Sequence, residues 1–193
     1  MIEQRNEYTA RAIKFSHRLK DLIDELFEMA KLDTLDSAPH TEAFALPELV
    51  QDVLQQFDAN AQKQGIHLLM EGDRHLAFVQ ADIALIQRVL ENLVGNALRH
   101  VQAGDSVTVH LSANEDTIEI AVSDTGCGIE EDALAYIFDP LYQVDNKHRS
   151  GEHSGLGLAI VKRILQLHGS EISVSSKLDQ GTIFTFKLRT SKG

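Results

Sequence analysis

The chain has 193 residues, of which 43% are hydrophobic, enough to bury one core and to carry an additional helical element. Its formal net charge is -11 and no run of lysine or arginine forms a basic stripe, which argues against nonspecific nucleic-acid binding. A single cysteine excludes an internal disulfide framework, and the sequence shows neither an apolar run of membrane-spanning length nor a signal-peptide pattern. We therefore expect a soluble cytoplasmic piece made of one globular domain and an appendage.

The appendage is a charged helix predicted over residues 3–35, with an apolar seam along one side. The seam residues recur three and four positions apart and are Ala12, Phe15, Leu19, Leu22, Leu26 and Met29, widened by Ile23, Phe27 and Ala30. A seam of this width suits a four-helix bundle better than a two-stranded coil, so we expect partners from outside the domain. The alternative is that the helix folds back on its own domain. The stretch 33–40, which contains Pro39, is the predicted hinge.

Two long helices are predicted in the globular part. The first spans residues 46–64, with Pro47 in its first turn and Gly65 just past its end. The second follows a cap at Asp82, and its apolar residues recur at helical spacing as far as Ala97.

Strands and shorter elements fill the rest of the chain. Strands are predicted over residues 66–70, 76–79, 106–112 and 117–123, with a final hairpin over 171–176 and 182–188. Between them we expect a loop and short helix over 126–138, a mobile polar stretch over 143–154, and a helix over 155–168 closed by Gly169. The predicted fold class is α+β, a two-layer α/β sandwich in which three helices back an open mixed sheet, preceded by a long helix.

Two asparagines interrupt the apolar helix that follows Asp82. Asn92 and Asn96 are four residues apart and therefore lie on one helical face. Their amide oxygens are ligands suited to Mg²⁺, which completes its octahedron with water and phosphate oxygens. Alternatively, both amides cap neighbouring backbone groups. Arg99, one turn further on, is placed either to contact a phosphate or to compensate the helix dipole.

Asp124 ends an apolar strand and is followed by two glycines. Its carboxylate is suited to accept a hydrogen bond from an amino group such as that of adenine. Gly126 and Gly128 allow the chain to bend around a base, and Ile129 can pack on the face of that base. The alternative is that Asp124 only organises the turn.

Gly155 and Gly157 stand where a polar loop becomes a helix. Backbone N–H groups and the positive end of the helix dipole meet there, which favours a polyphosphate, and Ser154 adds a hydroxyl. Taken alone, such glycines indicate a tight turn. Together with the asparagines and Asp124, they predict a site for a magnesium nucleotide.

Five segments in this order resemble the N, G1, F, G2 and G3 boxes of bacterial sensor histidine kinases. They are ENLVGNALRH (91–100), DTGCGI (124–129), IFDPLYQ (137–143), SGLGLAIVKRI (154–164) and GTIFTFKL (181–188). The resemblance covers roughly residues 45–190 and implies the ATP-binding fold shared with gyrase, Hsp90 and MutL.

The resemblance also implies a set of site residues for ATP and Mg²⁺. Asn96 binds the metal, Asn92 and Arg99 belong to the catalytic phosphate region, and Asp124 binds the adenine amino group. Phe138 sits in the loop that covers the nucleotide. The remaining nucleotide-binding residues are Gly126, Gly128, Ile129, Ser154, Gly155, Leu156, Gly157, Leu158 and Thr182.

The N-terminal helix resembles, over residues 18–33, the second helix of the dimerisation and phosphotransfer domain of these kinases. The implied division is this helix over 1–36, a hinge over 37–45, the ATP-binding catalytic domain over 46–190 and a tail over 191–193. The phosphoacceptor histidine belongs to the first phosphotransfer helix, which we expect outside this chain. His17 is a poor substitute, because the acidic residue and the Thr-Pro step of the acceptor motif do not follow it.

The implied activity is transfer of the γ-phosphoryl group of Mg-ATP to a histidine in two-component signalling. The implied partners are the phosphotransfer helix of the same or a partner protomer, in a homodimeric parent protein, and a response regulator receiver domain. The expected location is cytoplasmic, and anchoring of the parent protein in the inner membrane stays open.

Two positions depart from the family pattern. Gln143 stands where an arginine is common, and Leu141 replaces the second phenylalanine of the F box. The positive charge of Lys147, His148 or Arg149 is available as a substitute. The departures favour, as an alternative, a nucleotide-binding interaction module without kinase activity. Another ATPase of the same fold is a further alternative, but there a water-activating glutamate is expected where Asn92 stands, and an amide is no base.

Overall fold

The computed structural model describes residues 2–34, 38–73, 76–143 and 154–191. The helices are α1 (Ile2–Thr34), α2 (Leu46–Gln64), α3 (Ile83–His100), α4 (Glu131–Leu134) and α5 (Gly157–Leu167). The strands are β1 (Glu42–Phe44), β2 (His67–Gly72), β3 (Val79–Ala81), β4 (Ser106–Ala113), β5 (Thr117–Asp124), β6 (Ser173–Lys177) and β7 (Gly181–Arg189). None of the helices in these ranges is both long and apolar enough to cross a membrane.

A five-stranded mixed sheet forms the centre of the described chain, in the order β2-β4-β5-β7-β6. β2 runs parallel to β4, and the other neighbouring strands are antiparallel. Every second residue of β5, from Ile118 through Ile120 and Val122 to Asp124, is buried, so one sheet face turns inward. In the described residues, α2, α3 and α5 share one hydrophobic core with this face. The predicted two-layer class is confirmed.

The long helices begin and end where local chemistry predicts. α2 carries Pro47 near its start and ends at Gly65, whose φ of 70° lets its N–H reach the carbonyl groups of Ala61 and Gln62. At the start of α3, the side chain of Asp82 accepts a hydrogen bond from the Leu85 N–H at 3.2 Å.

Several predicted boundaries are wrong, among them the end of β2, which is Gly72 and not 70, and the start of β6, which is Ser173 and not 171. The strand predicted over 76–79 is β3, which begins only at Val79 and pairs with β1, a strand that the sequence pattern did not indicate. The helix predicted over 155–168 begins at Gly157, because Gly155 has a φ of 74° and lies in the left-handed region. The predicted mobile stretch falls largely on residues 144–153, which lie outside the described residues together with Lys147, His148 and Arg149.

The C-terminal end of α1 packs on its own domain. Leu32 is 3% exposed, and Met29 packs against the core. Asp33 forms an ion pair with Arg163 of α5, with Oδ1 and Nε 3.1 Å apart. The alternative of a folded-back helix therefore describes this end of α1.

The predicted seam of α1 is largely open further towards its N-terminus. Phe15, Leu19, Leu26 and Phe27 are 66%, 60%, 55% and 72% exposed. This part of the helix makes an apolar surface of the kind expected of a bundle helix.

A bidentate ion pair ties α1 to α3. Arg88 Nε lies 3.1 Å from both carboxylate oxygens of Glu28, and its terminal amino group donates to Oε2 at 2.8 Å. About a third of each side chain is exposed. This contact joins the N-terminal helix to the helix that carries the two asparagines.

Replacing Glu28 with glutamine is expected to lower the free energy of unfolding by about 1 kcal/mol, because a half-buried Arg88 loses its charged partner. Urea denaturation measures the loss. The matched control is Asp24→Asn, which breaks the exposed Lys20–Asp24 pair of α1 and should cost less than about 0.5 kcal/mol. Equal losses in the two variants would show that the contact with α3 adds no more stability than an exposed pair within α1.

Candidate functional site

The helices α3 and α5, which carry the predicted phosphate motifs, are joined by a hydrogen bond between the start of α3 and the end of α5. The Asp82 N–H at the start of α3 donates to His168 Nε2 at 3.1 Å, and His168 Nδ1 lies 2.8 Å from the carbonyl oxygen of Ile164 in α5. One neutral imidazole satisfies both bonds when Nδ1 carries the proton. His168, which sequence reasoning did not single out, therefore fixes α3 relative to α5.

Asn92 stands where α3 meets the start of α5. Its Nδ2 donates to the Arg88 carbonyl group at 3.0 Å, so the predicted backbone cap is present. Its Oδ1 lies 3.0 Å from the position that a Cβ on Gly157 would occupy. A side chain at residue 157 would press on this amide oxygen, so the structure brings the asparagine and glycine motifs together.

Asn96 and Arg99 lie one turn further along α3. A terminal amino group of Arg99 is 3.5 Å from Asn96 Oδ1, a long contact. Burial lowers the pKa of the Arg99 guanidinium, and the carboxylate of Glu25 acts in the opposite direction. A partly desolvated guanidinium beside an amide oxygen is suited to an anionic ligand.

The glycine turn before α5 packs against the backbone of Leu141 and Tyr142. A Cβ on Gly155 would lie 2.8 Å from the Leu141 carbonyl carbon and from the Tyr142 carbonyl oxygen, and the Gly155 carbonyl group accepts from the Leu141 N–H at 2.9 Å. Leu141 itself has a φ of 66°. The backbone of the F box thus lies directly on the predicted phosphate turn.

Ser154 lies between this turn and α1. Its Oγ accepts from the Leu156 N–H at 3.1 Å and donates to the Glu25 carboxylate. Leu156 is buried, and Leu158 packs against the core at the start of α5. An acidic side chain of α1 therefore reaches the predicted phosphate turn, a contact that no sequence signal in the charged helix indicated.

Asp124 is held at the end of β5 and is only 8% exposed. Its Oδ1 accepts from the Gly126 N–H at 2.9 Å, so the aspartate does organise the turn, and its carboxylate also accepts from the Thr182 N–H. A Cβ on Gly126 would lie 2.1 Å from the His100 carbonyl oxygen, and one on Gly128 2.1 Å from that of Lys177. The two glycines thus allow the loop to pass between the end of α3 and the end of β6.

Thr182 and Ile129 complete this end of the site. Thr182 lies opposite Asp124 in the sheet and is 5% exposed. Ile129 packs against the core, and its N–H donates to Ser176 Oγ at 2.8 Å.

Phe138 packs against the core. Its ring lies 6.2 Å from that of Phe184 in an edge-to-face arrangement, with Lys162 Nζ 5.8 Å from its centroid. The ring anchors the segment that leads to Gln143, and its contact with a nucleotide stays a prediction.

The environment of Asp124 predicts a pH dependence of stability. Burial raises the pKa of Asp124, while the N–H bonds from Gly126 and Thr182 act to lower it. Relative to Asp124→Asn, the wild type should be most stable below the unfolded carboxyl pKa of about 3.9, and should lose this advantage as the pH rises through the raised folded-state pKa. Urea denaturation of both proteins, from below the unfolded pKa to above the folded-state pKa, measures the difference in their free energies of unfolding. An advantage that grows with pH would contradict the buried environment.

Comparison with known proteins places the chain in a family. Residues 81–192 match the family of histidine kinase-, DNA gyrase B- and HSP90-like ATPases. The match spans more than half of the chain, which therefore belongs to this family. The resemblance read from the five sequence boxes is confirmed at this level.

Two curated relatives are named as histidine kinases. An uncharacterised sensor-like histidine kinase of Rhizobium meliloti is 29% identical over 94% of the chain and 35% of its own length. The sensor histidine kinase CusS of Escherichia coli is 31% identical over 89% of the chain and 35% of its own length. The crystal structure of full-length ShkA in complex with AMPPNP has a TM-score of 0.84 and 28% identity, over 99% of the chain and 40% of ShkA. The chain thus spans about a third of the length of the curated relatives it matches.

Proposed function

We propose that this chain is the ATP-binding catalytic part of a sensor histidine kinase and transfers the γ-phosphoryl group of Mg-ATP to a histidine outside the chain. The observation that carries the proposal is the meeting of α3 and α5, where Asn92 Oδ1 faces the backbone of Gly157. The family match and the sensor kinases among the relatives support it. ShkA, whose fold the chain shares, was crystallised with an ATP analogue.

In this proposal the phosphates lie at the start of α5. The N–H groups of Gly157 and Leu158 belong to the first turn of the helix and are placed to bind them. The Ser154 hydroxyl donates to Glu25 in this structure and would turn from that carboxylate to donate to a phosphate. Arg99 supplies positive charge from α3, and its partly buried guanidinium is suited to an anionic group.

The base lies at the other end of the site, beside Asp124 and Thr182. The carboxylate of Asp124 accepts from the amino group of adenine, and Ile129 packs on the ring. Gly126 and Gly128 let the loop after Asp124 pass close to the carbonyl groups of His100 and Lys177, which a side chain at either position would strike. In this proposal the same loop lies along the base.

The residues around Asn96 fit a magnesium ion that is shared with phosphate. No group of three or more His, Cys, Asp and Glu side chains suited to a metal exists among the residues that the structure describes. The chain supplies a neutral amide oxygen, that of Asn96, at the proposed phosphate site, which leaves most of the ligands to water and phosphate as Mg²⁺ prefers. When bound, the ion neutralises phosphate charge during transfer.

The side chains of α3 favour transfer to a protein group over hydrolysis. Phosphoryl transfer through a loose transition state needs positioning and charge neutralisation, which Asn92, Arg99 and the start of α5 supply. The amide of Asn92 is no base for water. The neighbouring carboxylate, Glu91, instead accepts a hydrogen bond from Gln87 at 2.8 Å and lies 4.0 Å from Arg88.

The same proposal assigns α1 as the second helix of the phosphotransfer domain, followed by the hinge and the catalytic domain. The acceptor histidine then lies on the first helix of the same or a partner protomer, and a response regulator receiver domain receives the phosphoryl group. The parent protein is a homodimer whose catalytic part works in the cytoplasm.

The test is transfer to a separate protein that carries the first helix. With γ-labelled Mg-ATP, the label should appear on the acceptor histidine, and Asn96→Ala should slow transfer about 100-fold or more, as loss of a transition-state contact does. The control is the same acceptor protein with its acceptor histidine replaced. ATP binding without transfer would favour the interaction module suggested by Gln143. Rapid release of phosphate without transfer would favour a hydrolytic ATPase.

A further inference from the structure

A hydroxyl group forms a junction behind the proposed base site. Ser176 Oγ accepts from the Ile129 N–H at 2.8 Å, and it lies 3.0 Å from the Gly181 carbonyl oxygen and 2.9 Å from Thr182 Oγ1. Ser176 and Thr182 are directly opposite each other on β6 and β7, so their side chains share one face of the sheet. Ser176 therefore joins the loop after Asp124 to the final hairpin.

Counting the donors and acceptors at this junction assigns a direction to the proton of Thr182. A serine hydroxyl has one proton to donate and two lone pairs. Ile129 N–H uses one lone pair of Ser176 Oγ, and the proton is donated to the carbonyl group of Gly181. At 2.9 Å either oxygen could donate in the bond between the two side chains. With the Ser176 proton assigned to Gly181, the second lone pair of Ser176 is left for Thr182, and the Thr182 hydroxyl is the donor.

The direction of this proton determines what Thr182 offers to a ligand. With its proton directed to Ser176, Thr182 Oγ1 has only lone pairs for any other group. Thr182 is also opposite Asp124 on β5, and its N–H bonds to the Asp124 carboxylate. An ionised carboxylate is likewise only an acceptor. The two side chains thus form a buried corner that accepts hydrogen bonds and donates none.

We propose that Ser176 is a positioning residue for base selection: by holding the Thr182 hydroxyl as an acceptor, it makes the site prefer 6-aminopurine over 6-oxopurine nucleotides. The inference rests on the proposed function and deepens it. A 6-amino group brings donors to the acceptor corner, whereas a 6-oxo group brings a carbonyl oxygen that no donor meets. The oxygen of a 6-oxo group would face the acceptor oxygens of Asp124 and Thr182 with no proton between them. Such unpaired buried polar groups weaken binding of the 6-oxo nucleotide.

The test compares dissociation constants for ATP and inosine triphosphate, which carries a 6-oxo group. We expect Ser176→Ala to reduce the ratio of the inosine triphosphate to the ATP dissociation constant about tenfold, because the Thr182 proton is then able to turn towards the 6-oxo group. General loosening of the Ile129 loop would weaken both nucleotides alike and leave the ratio unchanged. Ser175→Ala, at the exposed neighbour on β6, is the matched control, and Ser176→Thr should retain the wild-type ratio.

The second arm tests whether Ser176 acts through Thr182. Thr182→Val keeps the shape of the side chain and removes the hydroxyl, and it should reduce the ratio by itself. In that background Ser176→Ala should cause no further change. The inference would be overturned if Ser176→Ala left the ratio of dissociation constants unchanged. It would also be overturned if Ser176→Ala changed the ratio further in the Thr182→Val background. Either result would leave the proposed function intact. Wild type that binds neither nucleotide would overturn both.

Discussion

Replacing Asp124 with asparagine is expected to weaken ATP binding about 10- to 100-fold, which is the usual contribution of a hydrogen bond to a charged acceptor. The Asp124 Oδ1 atom already accepts from the Gly126 N–H. An asparagine that keeps this bond turns its own NH₂ group towards the adenine amino group, so two donors face each other. Titration of wild type and variant with ATP, with and without magnesium, measures the effect.

The loss should be similar in both titrations, because in the proposed site Asp124 contacts the base and not the metal. Asp132→Asn is the control for net charge, since Asp132 is an exposed residue of α4. ATP affinity that is the same in wild type and Asp124→Asn would remove the adenine assignment. The stability of the variant, measured in parallel, separates this result from unfolding.

Replacing Gly181 with alanine is expected to destabilise the fold by about 2–5 kcal/mol, the sum of a backbone collision and an unfavourable φ. Gly181 has a φ of 92°, and a Cβ there would lie 1.9 Å from the Asp124 carbonyl oxygen and 3.0 Å from Thr125 Cα. These are backbone atoms of β5 and of the loop that it leads to, so they cannot move without distorting the base site. Urea denaturation gives the loss.

Gly104→Ala is a closely matched control for this variant. Gly104 has a φ of 94°, but a Cβ there would meet nothing within 4 Å. It should cost only the conformational part, about 1–2 kcal/mol. The difference between the two variants measures the backbone contact, and similar losses would show that β5 and β7 adapt to an added methyl group.

The features that the sequence predicted well depend on neighbours in the chain. The bounds of α2 follow from Pro47 and Gly65, and the start of α3 follows from the Asp82 cap, because each signal acts within one helical turn. The alternation of buried residues in β5 follows from the period of two in a strand. The order of the five boxes was sufficient to indicate the family.

The features that it did not predict depend on contacts between distant residues. β1 and β3 have three residues each, too few for a periodic pattern, and they exist because Phe44 and Val79 are brought opposite each other. Glu28 meets Arg88 across 60 positions of the chain, and in sequence it is one acid among many on a charged helix. Ser176 lies among other serines of β6, and only its partners distinguish it.

The two parts of α1 should respond in opposite ways to salt. Ion pairs through Glu28 and Asp33 hold its C-terminal end, and dissolved ions screen such pairs. The exposed apolar residues around Phe15 and Phe27 instead associate more strongly in salts such as sulfate. Added sulfate should therefore weaken the ion pairs that join α1 to α3 and α5, while it favours apolar contacts along the rest of the helix.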